Sequence, residues 1–132
     1  MLANLMPLIM RREYGIFRTP VNPVLDTIRY TTIVMKQIVI DEYILTVLMR
    51  DLVSHDHSPS GFLVYLHLLS ETKRLRVSTV RLSYQTISES IGLSKSAVQI
   101  AVRGLVGRQL LSVKKDSPTA IPEYKVLRPW RR

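Results

Sequence analysis

The chain has 132 residues, of which 46% are hydrophobic, and these figures suit one small domain with a packed core rather than two domains. It contains no cysteine, which excludes disulfides and thiolate chemistry and fits a reducing, cytoplasmic setting. Its formal net charge of +9 favours a polyanionic partner over a cationic one.

The opening segment M-L-A-N-L-M-P-L-I-M is apolar but too short to span a bilayer, and its pair of arginines follows the apolar run, whereas a signal peptide carries its charge first. Residues 33–49 are interrupted by charged side chains, so we expect no membrane segment. Residues 1–34 contain three prolines and little periodicity, which predicts a partly mobile extension without its own core. Translation from Met35 is an alternative explanation. The domain itself is expected to cover residues 35–132.

The first predicted elements are strands and two helices. β-branched residues are frequent in residues 28–40 and favour one or two short strands. Asp41 fits the N-cap of a helix that runs to about Leu52. Ser58, which a proline follows, predicts the start of a second helix, because proline at the first helical position loses no needed donor. This helix is expected to run to about Thr72 and to form the centre of the core.

Residues 83–103, S-Y-Q-T-I-S-E-S-I-G-L-S-K-S-A-V-Q-I-A-V-R, have the apolar spacing of a helix-turn-helix. Ile87 and Ile91 lie four residues apart on one helical face. Gly92 supplies a residue that can turn through a positive φ, and Leu93 can then fill the corner between the two helices. This motif is typical of DNA-binding proteins.

The second helix of this motif divides into a buried and an exposed face. Ser94 can cap it, because its side-chain oxygen would accept a hydrogen bond from the backbone N–H of Ser96 or Ala97. The apolar residues at the spacing of a buried stripe are Val98, Ala101, Val102 and Leu105. The residues opposite this stripe are Lys95, Ser96, Gln99, Ile100 and Arg103. Most of the second set are side-chain types that contact phosphates and base edges when a helix enters the major groove.

Three short strands are predicted around the motif. Residues 76–82 are rich in β-branched residues, and strands are also expected at residues 110–115 and 123–127. The connection between the last two, D-S-P-T-A-I-P, contains two prolines that cannot extend a ladder. The order of elements is that of a winged helix. We therefore predict an α+β, mainly α fold: a winged helix-turn-helix with a three-stranded antiparallel wing sheet and an N-terminal strand and helix extension.

Residues 58–128 resemble the winged-helix domains of bacterial MarR- and GntR-type regulators and of some plasmid and phage replication initiators. The resemblance rests on the helix-turn-helix spacing, the following L-V-G-R-Q-L-L segment and the basic hairpin. It implies that residues 94–108 form a recognition helix for the major groove of double-stranded DNA, and that a wing at residues 114–125 contacts the backbone or the adjacent minor groove. Ser88 replaces the usual alanine and Gln109 the glycine that often ends this helix, although glutamine can adopt the turn at some cost.

The resemblance also assigns roles to individual residues. Ser96 and Gln99 are the expected base-contacting residues, since the amide of Gln99 suits adenine, while Lys95 and Arg103 suit phosphates or guanine. The start of the first motif helix would lie against a phosphate, with its backbone amides and positive dipole end towards the anion. The complete set of expected DNA-contacting residues is Ser83, Tyr84, Gln85, Ser94, Lys95, Ser96, Gln99, Arg103, Lys114, Lys115, Lys125 and Arg128.

The distribution of charge supports DNA binding independently of the motif. Residues 1–72 hold 6 Lys or Arg and 7 Asp or Glu, whereas residues 73–132 hold 13 and 3. The excess positive charge therefore lies with the motif, where it would attract a polyanion and release its counterions. A solvated basic surface is the alternative explanation.

The expected function is sequence-specific, non-enzymatic DNA binding as a bacterial-type transcriptional regulator. A homodimer would place two recognition helices about one turn of DNA apart, and residues 28–52 are the candidate pairing segment because of their apolar content. A replication-initiation protein that uses the same fold on an origin is an alternative. A winged helix that binds protein is another, which Ile100 favours and the polar residues Lys95, Gln99 and Arg103 oppose.

Other residues carry weaker functional signals. His55, Asp56 and His57 are metal-ligand types, but neighbouring side chains rarely converge on one ion, so a polar turn is the simpler interpretation and we expect neither metal nor cofactor. His67 is expected to be partly exposed or interfacial. Trp130, in P-W-R-R, would pack the C-terminal tail against the core or stack on a base. No residue pattern specifies a small-molecule effector.

Overall fold

The computed structural model describes residues 36–131 of the chain. All of the described helices and strands lie in one compact unit, Ile40–Arg132. They are α1 (42–55), α2 (Pro59–Leu75), β1 (Thr79–Arg81), α3 (Tyr84–Ile91), α4 (Lys95–Gly107), β2 (Leu111–Lys114) and β3 (Glu123–Val126). The prediction of a mainly helical α+β architecture with a three-stranded antiparallel sheet is confirmed, and the order of elements is compatible with a winged-helix layout.

The predicted N-terminal strands are not found where the structure can test them. Residues 36–40 carry no regular secondary structure. β-branched residues favour an extended backbone, but a strand forms only where a neighbouring strand supplies ladder hydrogen bonds. The rest of the predicted strand region, the predicted mobile extension at residues 1–34 and the alternative start at Met35 lie outside the described residues.

Helix α1 begins next to Asp41, as predicted, but the carboxylate of Asp41 does not cap it. The backbone carbonyl of Asp41 accepts from the N–H of Ile44 at 3.0 Å, while its side chain binds the C-terminal tail. The helix extends past the predicted end at Leu52 through two wide π-type segments, Ile44–Leu48 and Asp51–His55. Its buried side chains, Ile44, Leu48 and Leu52, join the core.

Helix α2 is the central core helix, and its predicted start is confirmed. The Oγ of Ser58 accepts from the backbone N–H of Gly61 at 3.1 Å. A Cβ on Gly61 would lie 2.6 Å from that oxygen, so glycine leaves the room that the cap needs. The helix ends at Leu75, beyond the predicted Thr72, where Arg76 adopts the left-handed conformation. Its largest buried side chains are Phe62, Tyr65, Leu68 and Leu69.

Helices α3 and α4 lie where the sequence predicted the two helices of the motif, and a short turn joins them. Gly92 turns between them with a φ of 75°, as expected of glycine at that position. Ser94 caps α4 by accepting from the N–H of Ala97 at 3.1 Å, which confirms the predicted cap. The hydroxyl of Ser88 donates to the carbonyl of Leu93, so the serine that replaces the usual alanine ties α3 to the turn.

Helix α4 ends at Gly107, and the chain turns away two residues later at Gln109. Gln109 adopts a φ of 59°, and its N–H donates to the carbonyl of Val106 at 3.0 Å. The N–H of Leu110 donates to the carbonyl of Leu105 at 2.9 Å, which completes a Schellman motif. Glutamine thus takes the turn that glycine usually makes, and the buried Leu105 and Leu110 supply the accompanying apolar contact.

The sheet has the strand order β1-β3-β2, and its register separates an inner from an outer face. Val80, Tyr124 and Val113 lie in one row across the three strands and face the core. The two outer rows are Thr79, Lys125 and Ser112, and Arg81, Glu123 and Lys114. The predicted strand at residues 76–82 shortens to Thr79–Arg81, because only these residues pair with β3.

The C-terminal tail packs against α1 and α2 through a set of residues that we call the tail cluster: Asp41, Tyr43, Tyr65, Trp130 and Arg131. Trp130 stacks on Tyr43 with 4.7 Å between ring centroids, and its Nε1 donates to the Asp41 carboxylate at 2.8 Å. The Nε of Arg131 donates to the same oxygen at 2.8 Å, and the hydroxyl of Tyr65 donates to the carbonyl of Leu127 at 2.9 Å. Packing of the tail was the simpler of the two interpretations of Trp130, and it is confirmed.

Candidate nucleic-acid interface

The outward face of α4 consists of Lys95, Ser96, Gln99, Ile100 and Arg103, all of them exposed. The opposite side of the helix is buried against the core through Val98, Ala101, Val102 and Leu105. At about 100° per residue, the outward set spans an arc of about 140°, with Ser96 and Arg103 near its middle. The division that the apolar spacing predicted is therefore the division found in the structure.

Three polar side chains on this face have no partner among the residues that the structure describes. Lys95, Gln99 and Arg103 make no side-chain hydrogen bond and no ion pair with any residue between 36 and 131. Ser96 contacts only the cap, with its Oγ 3.2 Å from the Oγ of Ser94. In contrast, the Nε of Arg108, at the end of the helix, lies 3.2 Å from an Asp56 carboxylate oxygen.

The start of α3 presents backbone rather than side-chain donors. The Oγ of Ser83 accepts from the N–H of Thr86 at 3.1 Å, and Gln85 donates to Glu89 at 2.7 Å. Both predicted contact side chains are thus engaged within the helix. The N–H groups of Tyr84 and Gln85, in the first turn, have no intrahelical acceptor and lie at the positive end of the helix dipole.

The tip of the β2–β3 hairpin lies beside the start of α3. The Nζ of Lys115 lies 5.6 Å from the ring centroid of the half-buried Tyr84, which is a cation–π contact. Two residues that the sequence assigned to different elements are therefore brought together. The hairpin tip also carries an acidic group, Asp116, whose carboxylate oxygen lies 3.8 Å from a guanidinium nitrogen of Arg81.

The outer face of the sheet carries two further predicted residues, Lys114 and Lys125, and both are exposed. Glu123 stands between Arg81 and Lys114 in the register and accepts from the hydroxyl of Thr79 at 2.9 Å. Neither lysine lies within 4.0 Å of a carboxylate oxygen of a described residue. These lysines remain free to contact an anion.

The structure separates Arg128 from the rest of the predicted site. The hairpin runs from the pair Leu111–Val126 at its base to Lys114–Glu123 near its tip, and Arg128 lies two residues beyond the base. It is half-buried, and its charge lowers the pKa of Asp41 in the tail cluster. The sequence could not predict this separation, because a basic residue after a strand carries no signal of which end of the hairpin it occupies.

The inner face of β3 carries a buried hydroxyl that has no partner among the described residues. Tyr124 is fully buried, and its hydroxyl has no hydrogen-bond partner among the described residues. Burial raises the pKa of Tyr124, and the neighbouring Tyr84 raises it further. The hydroxyl therefore stays protonated over the whole physiological range.

The weaker candidate residues form no site that the structure supports. The Nδ1 of His55 lies 2.8 Å from Asp56 on the surface, and residues 36–131 contain no cluster of three or more metal-ligand types. His67 is half-buried, as expected, and burial lowers its pKa. None of the described helices is both long and apolar enough to cross a bilayer.

Comparisons of the chain with protein-family models, with curated proteins and with solved structures gave no match.

Proposed function

We propose that the protein binds double-stranded DNA in a sequence-specific way, as a bacterial-type transcriptional regulator without enzymatic activity. The observation that carries the proposal is the outward face of α4, where Lys95, Gln99 and Arg103 are exposed and have no partner among the described residues. Among the buried side-chain polar atoms of the described residues, only the hydroxyl of Tyr124 lacks a hydrogen-bond partner. Unpaired donors on one helix face are suited to a ligand rich in acceptors.

Each part of the surface fits one part of a DNA duplex. In this proposal α4 enters the major groove, Gln99 binds an adenine through its amide, and Lys95 and Arg103 bind phosphates or guanine. Ser96 is a second base-contacting residue. The free N–H groups at the start of α3 bind a phosphate, because they combine unsatisfied donors with the positive end of the helix dipole.

The wing supplies the contacts to the DNA backbone. Lys115 lies over Tyr84, so the hairpin tip is adjacent to the helix end that binds a phosphate in this proposal. Lys114 and Lys125 extend the positive surface along the outer face of the sheet. Contacts of this kind position a protein on DNA without distinguishing sequences, so base selection depends on α4.

We also propose that the protein acts as a homodimer that pairs through α1. Within the predicted pairing segment, α1 buries one set of apolar residues in its own core and exposes a second set: Tyr43, Leu45, Val47 and Met49. Tyr43 and Val47 lie on the opposite side of α1 from Leu45 and Met49, and Tyr43 already stacks on Trp130. A dimer would therefore bury Leu45 and Met49 and double the number of base contacts. Sedimentation with and without DNA tests this, and a monomer at all concentrations and on DNA would contradict it.

The experiment that tests the proposed function is selection from a randomised duplex library, followed by titration of the enriched site against scrambled DNA at several salt concentrations. We expect an enriched motif, a steep salt dependence and a loss of selectivity in Gln99→Ala. Ser78→Ala, an exposed and uncharged change between α2 and β1, is the matched control and should keep full selectivity.

Other outcomes favour other functions. Salt-sensitive binding without an enriched motif would indicate a non-specific DNA-binding protein. Enriched motifs that recur as repeats in a replication origin would favour replication initiation over transcription control. Absence of DNA binding would favour a protein-interaction domain, for which the exposed Ile100 on α4 is the supporting observation.

A further inference from the structure

Ile100 is the most exposed large hydrophobic side chain of the unit Ile40–Arg132, with 67% of its surface accessible. It lies in the middle of α4, in a helix whose other central apolar residues are buried. Single exposed apolar residues are common on protein surfaces, so exposure alone assigns no role. The position of Ile100 relative to its neighbours supplies the further argument.

Ile100 occupies the same face as the polar residues that we place in the major groove. It follows Ser96 by four residues and precedes Arg103 by three, and residues at these spacings are neighbours on a helix surface. Gln99 precedes it directly. An isoleucine there interrupts an otherwise polar surface and can neither donate to a phosphate nor accept from a base.

Within the protein, Ile100 lines the edge of an open pocket together with Leu52 and Leu105, and it is covered only in part. One turn further along α4, Gly104 has no side chain, and a Cβ there would meet nothing within 4 Å. On the next turn of α4, therefore, no side chain packs against Ile100. This leaves its methyl groups accessible to a ligand that approaches α4 from outside.

The major groove contains one apolar group that such a side chain can contact. It is the C5-methyl of thymine, since the other groups on the base edges are hydrogen-bond donors and acceptors. An adenine bound by Gln99 lies in an A·T pair, so a thymine methyl is present in the same region of the groove. The chemistry of the two consecutive side chains is therefore complementary to A·T-containing sequence.

We infer that Ile100 is a specificity-determining residue that contacts a thymine C5-methyl next to the adenine bound by Gln99. This inference rests on the proposed function, because it requires α4 to lie in the major groove. It adds a residue to the base-contacting set and predicts the chemical class of the target, a half-site that contains a thymine at a defined position beside the adenine.

The test replaces thymines of the selected duplex one at a time by deoxyuridine, which pairs in the same way but lacks the methyl group. For the wild type we expect one replacement per half-site to weaken binding about fourfold, which corresponds to the loss of one buried methyl-sized group. In Ile100→Ala the same replacement should have no effect, because the side chain that contacts the methyl is gone. Both proteins are compared as full chains.

Val77→Ala is the matched control, since Val77 is also an exposed β-branched residue but lies between α2 and β1, outside α4. It should keep the wild-type response to deoxyuridine. The inference is wrong if no thymine replacement affects the wild type, or if Ile100→Ala responds as the wild type does. Failure of the selection to enrich any motif would instead overturn the proposed function, and the two results are therefore distinguishable.

Discussion

The polar side chains of the tail cluster are hydrogen-bonded within the domain, whereas most of those on the outward face of α4 have no partner among the described residues. In the tail cluster the Asp41 carboxylate accepts from Trp130 and Arg131, and the buried hydroxyl of Tyr65 donates to a backbone carbonyl. On α4, Lys95 and Gln99 have no partner among the described residues. Paired groups hold the fold together, whereas donors left without an internal partner are available to a ligand. Changes in the tail cluster should therefore affect stability, and changes on α4 should affect binding.

The largest expected effect is on stability, from Trp130→Ala. Full truncation of a core Trp costs about 3–5 kcal/mol, and because Trp130 is only half-buried we expect the free energy of unfolding to fall by about 2–3 kcal/mol. Urea denaturation measures this change. DNA affinity of the folded variant should stay within about twofold of the wild type. If the folded variant binds DNA much more weakly than the wild type, and unfolding does not account for the loss, the distinction between the two regions is wrong.

The next effect is on binding, from Arg103→Ala. Removal of a base or phosphate contact should weaken binding by about 1–3 kcal/mol, which is about fivefold or more, while the urea midpoint stays unchanged. Arg74→Ala is the matched control, because Arg74 is an exposed arginine that pairs with Glu71 on α2 at 2.7 Å. Equal losses in the two variants would show that binding depends on total charge and not on the face of α4.

A smaller effect on stability is expected from two buried tyrosines, Tyr65 in the tail cluster and Tyr124 in β3. Tyr65→Phe removes a hydroxyl that satisfies the carbonyl of Leu127, so the free energy of unfolding should fall by about 1–2 kcal/mol. Tyr124→Phe removes a buried hydroxyl that has no partner among the described residues, and it should be neutral or slightly stabilising. Thermal or urea unfolding of both variants decides the point. If Tyr124→Phe is as unstable as Tyr65→Phe, the hydroxyl of Tyr124 has a hydrogen-bond partner that the described residues do not include.

The smallest effect concerns pH. The Arg131 guanidinium and the Trp130 indole hold the pKa of Asp41 below its ordinary value in the folded protein. The contribution of this carboxylate to stability is therefore present above its unfolded pKa of about 3.9 and is lost as the pH falls through the lower folded value. Asp41→Asn should be less stable than the wild type at pH 7, and the difference should shrink under acidic conditions. A difference that is constant with pH would mean that charge plays no part.

Local signals in the sequence were enough for most of the helix-turn-helix. Ser58 and Ser94 cap their helices and Gly92 makes the turn, because caps and turns depend on residues within a few positions of one another. The proline-containing connection D-S-P-T-A-I-P also located β2 and β3, which flank it, to within one residue at each end.

Contacts between distant parts of the chain could not be predicted in the same way. The partners of Asp41 lie about ninety residues away, so its sequence position suggested a helix cap instead of an ion pair. The contact between Lys115 and Tyr84 likewise depends on how the hairpin folds back on α3. The resemblance included Arg128 in the DNA-contacting set, and the sequence does not reveal which end of the hairpin this residue occupies.

The measurement that tests the central claim most directly is an NMR titration of the full chain with a selected duplex of about 20 base pairs, two turns of DNA. The account predicts that the amide signals of residues 83–85, 95–103 and 114–125 shift, while the indole N–H of Trp130 stays in place. Shifts centred on the tail cluster, or no shifts at all, would contradict it.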